Sequence, residues 1–147
     1  PWLRPALVRL KQAADLQAST LGQALVATLV TDSAWFAPHL DALRATYAPR
    51  GRALAGALAK ELGERLQVNR PTGGMFLWGR FTDGTVAADL LPRALAHGVG
   101  FVPGAEFFTA DPDPCAIRLS FATNPPDALA EAASRLASAH ADVQVDA

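Results

Sequence analysis

The sequence has little cysteine and no excess of either charge. Its single cysteine, Cys115, cannot form a disulfide within the chain, and no CxxC pair or Cys/His cluster indicates a zinc site. The 13 lysine and arginine residues are balanced by 14 aspartate and glutamate residues, without a block of like charge that would attract nucleic acid or anionic lipid. We therefore expect a reducing, cytoplasmic location, no metal and no general affinity for polyanions.

Long apolar runs are missing as well. No stretch of about 18 uncharged apolar residues is present, so the sequence predicts no membrane span, and its first residues lack the pattern of a signal peptide. The sequence begins at Pro1 without an initiator methionine, and we expect it to be a segment of a longer polypeptide.

Apolar residues make up 50% of the 147 residues, which is enough for a substantial core. The first 66 residues have helical periodicity. Apolar spacing predicts a helix over 5–17, a second one after Ser19 or Thr20, and a longer one over 38–62 that Pro49 can kink or divide.

The periodicity changes from Gln67 onward. The segments "LQVNRP" and "GGMFLWGRF" predict two strands, "VAADLLPRALAHG" predicts a helix that Pro92 breaks or delays, and "VGFVPG" predicts a short strand. A loop, "EFFTADPDPC", then leads to the strand "AIRLSFA" and to a closing helix that starts near Pro126. The fold class predicted is α+β, with helices packed on one face of a small, mostly antiparallel sheet.

Arg118 is the most informative residue of the last strand. Strict alternation places Ile117, Leu119 and Phe121 on one face and Arg118 with the small residue Ser120 on the other, away from the helical core. A guanidinium with space beside it suits a carboxylate or phosphate. A salt bridge to an acidic residue on an adjacent strand, or plain exposure at the sheet edge, would explain the same spacing, and the spacing does not decide between them.

Three other features carry little information singly. Gly73 and Gly74 before a strand can serve a tight turn or a close approach to a ligand. The aromatic residues of the following strand, Phe76, Trp78 and Phe81, most often indicate core. The pair Pro103 and Gly104 predicts a sharp turn.

In combination these motifs are specific. The ordered set "PTGGMFLWGRF", "ALAHGVGFVPGAEFF" and "IRLSFA", followed by an amphipathic helix, resembles the C-terminal part of fold-type I aminotransferases that use pyridoxal phosphate. The resemblance is strongest to the subgroup of α-aminoadipate, kynurenine and multisubstrate aminotransferases. It extends into the first half, where "LKQAADLQASTLGQALVATLV" is similar to helices that link the large and small domains.

The resemblance implies a substrate site. It implies that Arg118 binds the α-carboxylate of the substrate and that Gly73, Gly74 and Phe76 border the substrate pocket. It also implies that residues 1–66 form a helical segment linking the two domains and that residues 67–147 form the small domain. Amino acids and 2-oxo acids would be the substrates, and the full-length protein would be a homodimer.

One departure from a complete enzyme is plain. The only lysines, Lys11 and Lys60, lack the serine-rich context of the lysine that holds the cofactor and are expected on solvated helix faces. We therefore expect no catalytic residue in this chain, no covalently bound cofactor and no activity of the segment alone. His39, His97 and His140 are expected at helix surfaces or ends and are assigned no role.

Two other classes of protein fit the sequence. One is a transcriptional regulator that fuses a winged-helix DNA-binding domain to an aminotransferase-like sensor domain. The other is a noncatalytic module whose sheet and helices serve only packing or dimer contacts.

Overall fold

The computed structural model describes residues 2–145. Its helices and strands are α1 (Arg4–Asp15), α2 (Thr20–Thr31), α3 (Ser33–Leu62), β1 (Leu66–Val68), β2 (Phe76–Phe81), α4 (Ala87–Ala96), β3 (Val102–Pro103), β4 (Ala116–Ser120) and α5 (Pro126–Val145). Two single 3₁₀ turns occupy Gly63–Arg65 and Ala105–Phe107. The chain divides into two compact units, one ending at Leu43 and the other beginning at Arg44.

The first unit contains α1, α2 and the start of α3. The Ser19 side chain caps α2 by accepting a hydrogen bond from the main-chain nitrogen of Gly22 at 3.2 Å, as the sequence predicts for one of its two candidate caps. Neither α1 nor α2 has a buried residue. The apolar stripes of both helices are therefore exposed in the described chain.

The third helix is longer than predicted and is not divided. It begins at Ser33, five residues before the predicted start, because a carboxylate oxygen of Asp32 accepts hydrogen bonds from the main-chain nitrogens of Ala34 and Trp35. The helix continues through Pro49 to Leu62, and Gly63 ends it with a positive φ of 57°.

The second unit is built on a four-stranded sheet in the order β1-β2-β4-β3, with every neighbouring pair antiparallel. The inward face carries Leu77, Phe81, Ile117 and Leu119, all fully or nearly buried. Helices α3, α4 and α5 cover this face with their own buried side chains, which include Leu54, Leu58, Leu62, Leu90, Ala94, Leu129 and Leu136. The predicted α+β class is confirmed.

Several boundaries differ from the predicted ones because long-range contacts set them. Helix α4 begins at Ala87, whose main-chain nitrogen donates to the carbonyl oxygen of Pro114 at 2.8 Å, and Pro92 does not interrupt it. Strand β3 has only two residues, and part of the predicted loop after it is a 3₁₀ turn.

The surface position expected for His140 is wrong. This α5 residue is fully buried and stacks on Phe81, with ring centroids 5.2 Å apart. Its Nε2 lies 2.8 Å from a carboxylate oxygen of Asp83 and 3.1 Å from the Thr85 hydroxyl. Partial burial of Asp83 opposes its ionisation, but hydrogen bonds from Thr85 and the charge of His140 outweigh this and lower the pKa of Asp83. The pair ties the β2–α4 loop to α5.

Candidate functional site

Arg118 lies on the sheet face opposite the one that packs against α3, α4 and α5. Its strand, β4, is flanked by β2 and β3, and Arg118 is opposite Trp78 on one side and Val102 on the other. The residues before and after it, Ile117 and Leu119, point into the core. The alternation predicted from the sequence is present, and exposure at a sheet edge does not apply.

Two aromatic rings contact the guanidinium. The central carbon of the Arg118 guanidinium lies 4.4 Å from the ring centroid of Phe76 and 4.5 Å from that of Phe107. Both distances are within the range of cation–π attraction. Phe76 comes from the start of β2, and Phe107 comes from the 3₁₀ turn that follows β3.

The positive charge of Arg118 has no acidic partner among residues 2–145. Its Nε atom is buried without a hydrogen-bond partner, whereas the two terminal nitrogens are not among the buried unpaired atoms of the described residues. A buried donor without a partner is unfavourable, and a charged group gains most from an ionised acceptor. The salt bridge that the spacing also allowed is not formed.

Asp113 lies just before β4 and is hydrogen-bonded to residues other than Arg118. Asp113 accepts hydrogen bonds from the Cys115 main-chain nitrogen at 3.0 Å and from Arg80 Nε at 2.7 Å. The hydrogen bond from Cys115 is the larger of the two effects that hold the pKa of Asp113 below its ordinary value, and the bond from Arg80 is the smaller. Asp113 is thereby kept ionised and is paired with Arg80.

The turn that carries Phe107 depends on Gly104. The main-chain nitrogen of Gly104 donates to the carbonyl oxygen of Ala116, two residues before Arg118 on β4, at 2.6 Å. A Cβ on residue 104 would lie 2.5 Å from the Ala116 Cβ and 2.7 Å from its carbonyl carbon. Only glycine allows this approach, so the predicted turn at Pro103 and Gly104 has a steric cause.

One further aromatic ring, that of Trp78, supports Phe107. The rings of Trp78 and Phe107 meet edge to face at 5.8 Å, and Phe108 lies 6.0 Å from Trp78. Phe76 and Trp78 therefore face the site, and only Phe81 of the three strand aromatics belongs to the core, which corrects the core expectation for the other two.

Sequence reasoning missed Phe107, which fell in the predicted loop. The pattern that could have found it is an aromatic pair directly after a Pro-Gly turn, next to a strand with a single arginine.

The glycines before β2 act through the backbone. Gly74 has a positive φ of 77°, which favours glycine, and a Cβ on either Gly73 or Gly74 would meet no atom within 4 Å. The carbonyl oxygen of Met75 then accepts a hydrogen bond from the Phe121 nitrogen at 3.0 Å, which joins the start of β2 to the end of β4. Of the predicted pocket residues, the structure brings Phe76 into contact with Arg118, and Gly74 shapes the backbone two residues before it.

Both lysines lie on helix surfaces. Lys11 pairs with Asp15 one turn along α1, and Lys60 lies 3.5 Å from Glu61 with its side chain 82% exposed. Exposed pairs of this kind contribute little to stability. Within residues 2–145, no helix has the length and apolar character needed to cross a membrane.

Comparisons with known proteins place the chain among aminotransferases. A sequence model of the family described as aminotransferase class I and II matches residues 3–136. The 2-aminoadipate transaminase of Thermus thermophilus is 38% identical over 130 residues, which are 88% of this chain and 32% of that protein. The crystal structure of LysN, an α-aminoadipate aminotransferase from the same species, complexed with N-(5'-phosphopyridoxyl)-L-leucine, covers the whole chain with a TM-score of 0.79 and 35% identity.

A protein of another class is similar as well. The probable rhizopine catabolism regulatory protein MocR of Rhizobium meliloti is 32% identical over 122 residues, which are 82% of this chain and 24% of that protein. The chain spans about a third of the length of the two aminotransferases, 32% of one and 37% of the other.

Proposed function

Because the chain belongs to the aminotransferase class I and II family, we propose that it is the carboxylate-binding, C-terminal part of an aminotransferase that uses pyridoxal phosphate. The parent enzyme would transfer an amino group from an amino acid to a 2-oxo acid. The observation that carries this proposal is the state of Arg118: a central-strand cation, contacted by two aromatic rings, without an internal anion among the described residues.

Arg118 would bind and orient the substrate. Its guanidinium can donate two parallel hydrogen bonds to an α-carboxylate, which fixes the carboxylate plane. Phe76 and Phe107 would exclude water from the faces of the guanidinium and so strengthen its attraction for the carboxylate. Holding the carboxylate fixes the direction of the substrate's Cα–H bond, which is an orientation effect.

The cofactor would be held outside this chain. Pyridoxal phosphate, when bound, supplies the electron sink for removal of the α-proton. Neither lysine is suited to attach it, because Lys11 and Lys60 are exposed and ion-paired on helix surfaces. We therefore assign no catalytic or cofactor-binding residue to the chain and propose that it has no transferase activity by itself.

Family membership also underlies our proposals for the domains, the oligomeric state and the substrate of the parent protein. Residues 67–147 would form the small domain, and residues 1–66 would link it to a large domain. The parent protein would be a cytoplasmic homodimer, and the structural relative that contains a phosphopyridoxyl-leucine adduct supports an amino acid as substrate.

A second function is favoured by one observation, the similarity to MocR. In that case the same sheet would be the sensor domain of a transcriptional regulator, and Arg118 would bind the carboxylate of an effector. Assays of the full-length protein decide between the aminotransferase and the regulator. Amino-group transfer supports the enzyme, whereas sequence-specific DNA binding without transfer supports the regulator.

The experiment that tests the enzyme is a substitution at Arg118. In the full-length protein, Arg118→Ala should raise KM for amino acids by more than about tenfold, because truncating one partner of a buried charge pair costs roughly 2 to 5 kcal/mol. Arg80→Ala is the matched control, since Arg80 lies on the neighbouring strand and the same sheet face but is paired with Asp113. Equal KM values for the Arg118 and Arg80 variants would contradict the proposal.

A further inference from the structure

We propose that Phe107 is a positioning residue that holds the Arg118 guanidinium for end-on binding of a carboxylate, through its two terminal nitrogens. The inference rests on the proposed function, because it concerns how the carboxylate site is built. It assigns a role to a residue in the turn after β3, outside the two strands that carry Phe76 and Arg118.

The exposure of the guanidinium determines which edge a carboxylate can reach. A carboxylate can pair side-on, through Nε and one terminal nitrogen, or end-on, through both terminal nitrogens. Nε of Arg118 is buried, whereas neither terminal nitrogen is among the buried unpaired atoms of the described residues. Side-on pairing would require an anion to reach a nitrogen that the surrounding side chains cover, so end-on pairing is the geometry that the site allows.

The two rings restrict the guanidinium in different ways. Phe76 is fixed by the strand ladder, in which it lies opposite Ser120, whereas Phe107 is added from a separate turn. The guanidinium carbon lies within 4.5 Å of both ring centroids, and aromatic faces attract a cation without competing for its N–H donors. Contact with both rings therefore restricts the guanidinium and leaves the donors of its two terminal nitrogens available.

Phe107 is itself held from two directions. Gly104 brings the turn against Ala116 through the 2.6 Å hydrogen bond, and the Trp78 ring meets Phe107 edge to face. Phe107 remains 48% exposed, so its ring contributes little to the core, and the ring contacts Trp78 and the Arg118 guanidinium. Phe108, the next residue, is 39% exposed and contacts Trp78, but its ring is not one of those that Arg118 lies over.

Phe108 supplies a matched control for a kinetic test of Phe107 in the full-length protein. Phe107→Leu should raise KM for the amino acid by about threefold to thirtyfold, the range of one partly buried cation–π contact, with kcat changed less. Phe107→Tyr, which keeps an aromatic face, should restore KM to within about twofold of the unsubstituted protein. Phe108→Leu should leave KM unchanged.

A second measurement does not depend on activity. In the 147-residue chain, the Arg118 Nε–H proton should exchange slowly with water in the unsubstituted protein and in Phe108→Leu, and faster in Phe107→Leu. Added acetate should shift the terminal guanidinium resonances more than the Nε resonance. A larger shift at Nε would overturn the end-on geometry.

The outcomes separate this inference from the function on which it rests. If Arg118→Ala raises KM but Phe107→Leu behaves like Phe108→Leu in both measurements, the role of Phe107 is wrong and the proposed function stands. If Arg118→Ala leaves KM unchanged, the proposed function fails, and the exchange rates still decide whether Phe107 holds the guanidinium.

Discussion

Replacing Gly104 with alanine tests how the turn beside Arg118 is built. The added methyl would lie 2.5 Å from the Cβ of Ala116, 2.7 Å from its carbonyl carbon and 2.8 Å from its carbonyl oxygen. Two of these atoms belong to the backbone of β4, so no side-chain rotation relieves the overlap. The backbone at residue 104, with φ −80° and ψ −20°, is open to any residue, so the effect is one of space and not of conformation.

The magnitude follows from the displacement required. Restoring ordinary contact means moving the turn away from β4 by roughly 1 Å, and overpacking of this kind costs about 1 to 3 kcal/mol. The hydrogen bond from the Gly104 nitrogen to the Ala116 oxygen would be weakened, which adds about 1 kcal/mol. We expect Gly104→Ala to lower the free energy of unfolding by about 2 to 4 kcal/mol. Phe107 would move away from Arg118 in the same variant.

The assay is urea unfolding followed by far-ultraviolet circular dichroism, with two glycine controls. Gly56 lies within α3 with no atom within 4 Å of a Cβ, so Gly56→Ala should stabilise the helix by about 0.5 to 1 kcal/mol. Gly100→Ala would meet only Leu95, at an ordinary 3.6 Å, and should have little effect. If Gly104→Ala unfolds at the same urea concentration as Gly100→Ala, the steric account of the turn is refuted.

Two further predictions concern ionisation and the cofactor. The pKa of Asp83 is lowered in the folded chain, so its contribution to stability is present above its ordinary value of 3.8 and is lost as pH falls through the lower folded value. Thermal unfolding between about pH 5 and pH 2 should therefore show a steeper acid loss in the unsubstituted chain than in Asp83→Asn, and parallel curves would contradict the lowered pKa of Asp83. The 147-residue chain mixed with pyridoxal phosphate should show no Schiff-base band at about 420 nm. A band that disappears in Lys11→Ala or Lys60→Ala would contradict the assignment of the cofactor lysine to another part of the protein.

The sequence predicted most of the second unit because its patterns are local and periodic. Alternation along "AIRLSFA" placed Arg118 on the face away from the core and Ile117 in the core, as observed. The ordered motifs also identified the family, which the comparisons confirm.

What the sequence did not predict depends on contacts between distant residues. His140 has an ordinary position on an amphipathic helix, and only the folded chain brings it onto Phe81 and Asp83. Phe107 follows a turn whose close approach to Ala116 no local pattern encodes. The early start of α3 was predictable in principle, because Asp32 is a common capping residue.

The most direct test of the central claim compares an amino acid with its amide in the full-length protein, before and after Arg118→Ala. The amide keeps the substrate's shape but lacks the carboxylate charge that Arg118 is proposed to bind. We predict that the unsubstituted protein prefers the acid over the amide by more than about tenfold in kcat/KM and that Arg118→Ala removes most of this preference. An undiminished preference in the variant would show that another residue binds the carboxylate.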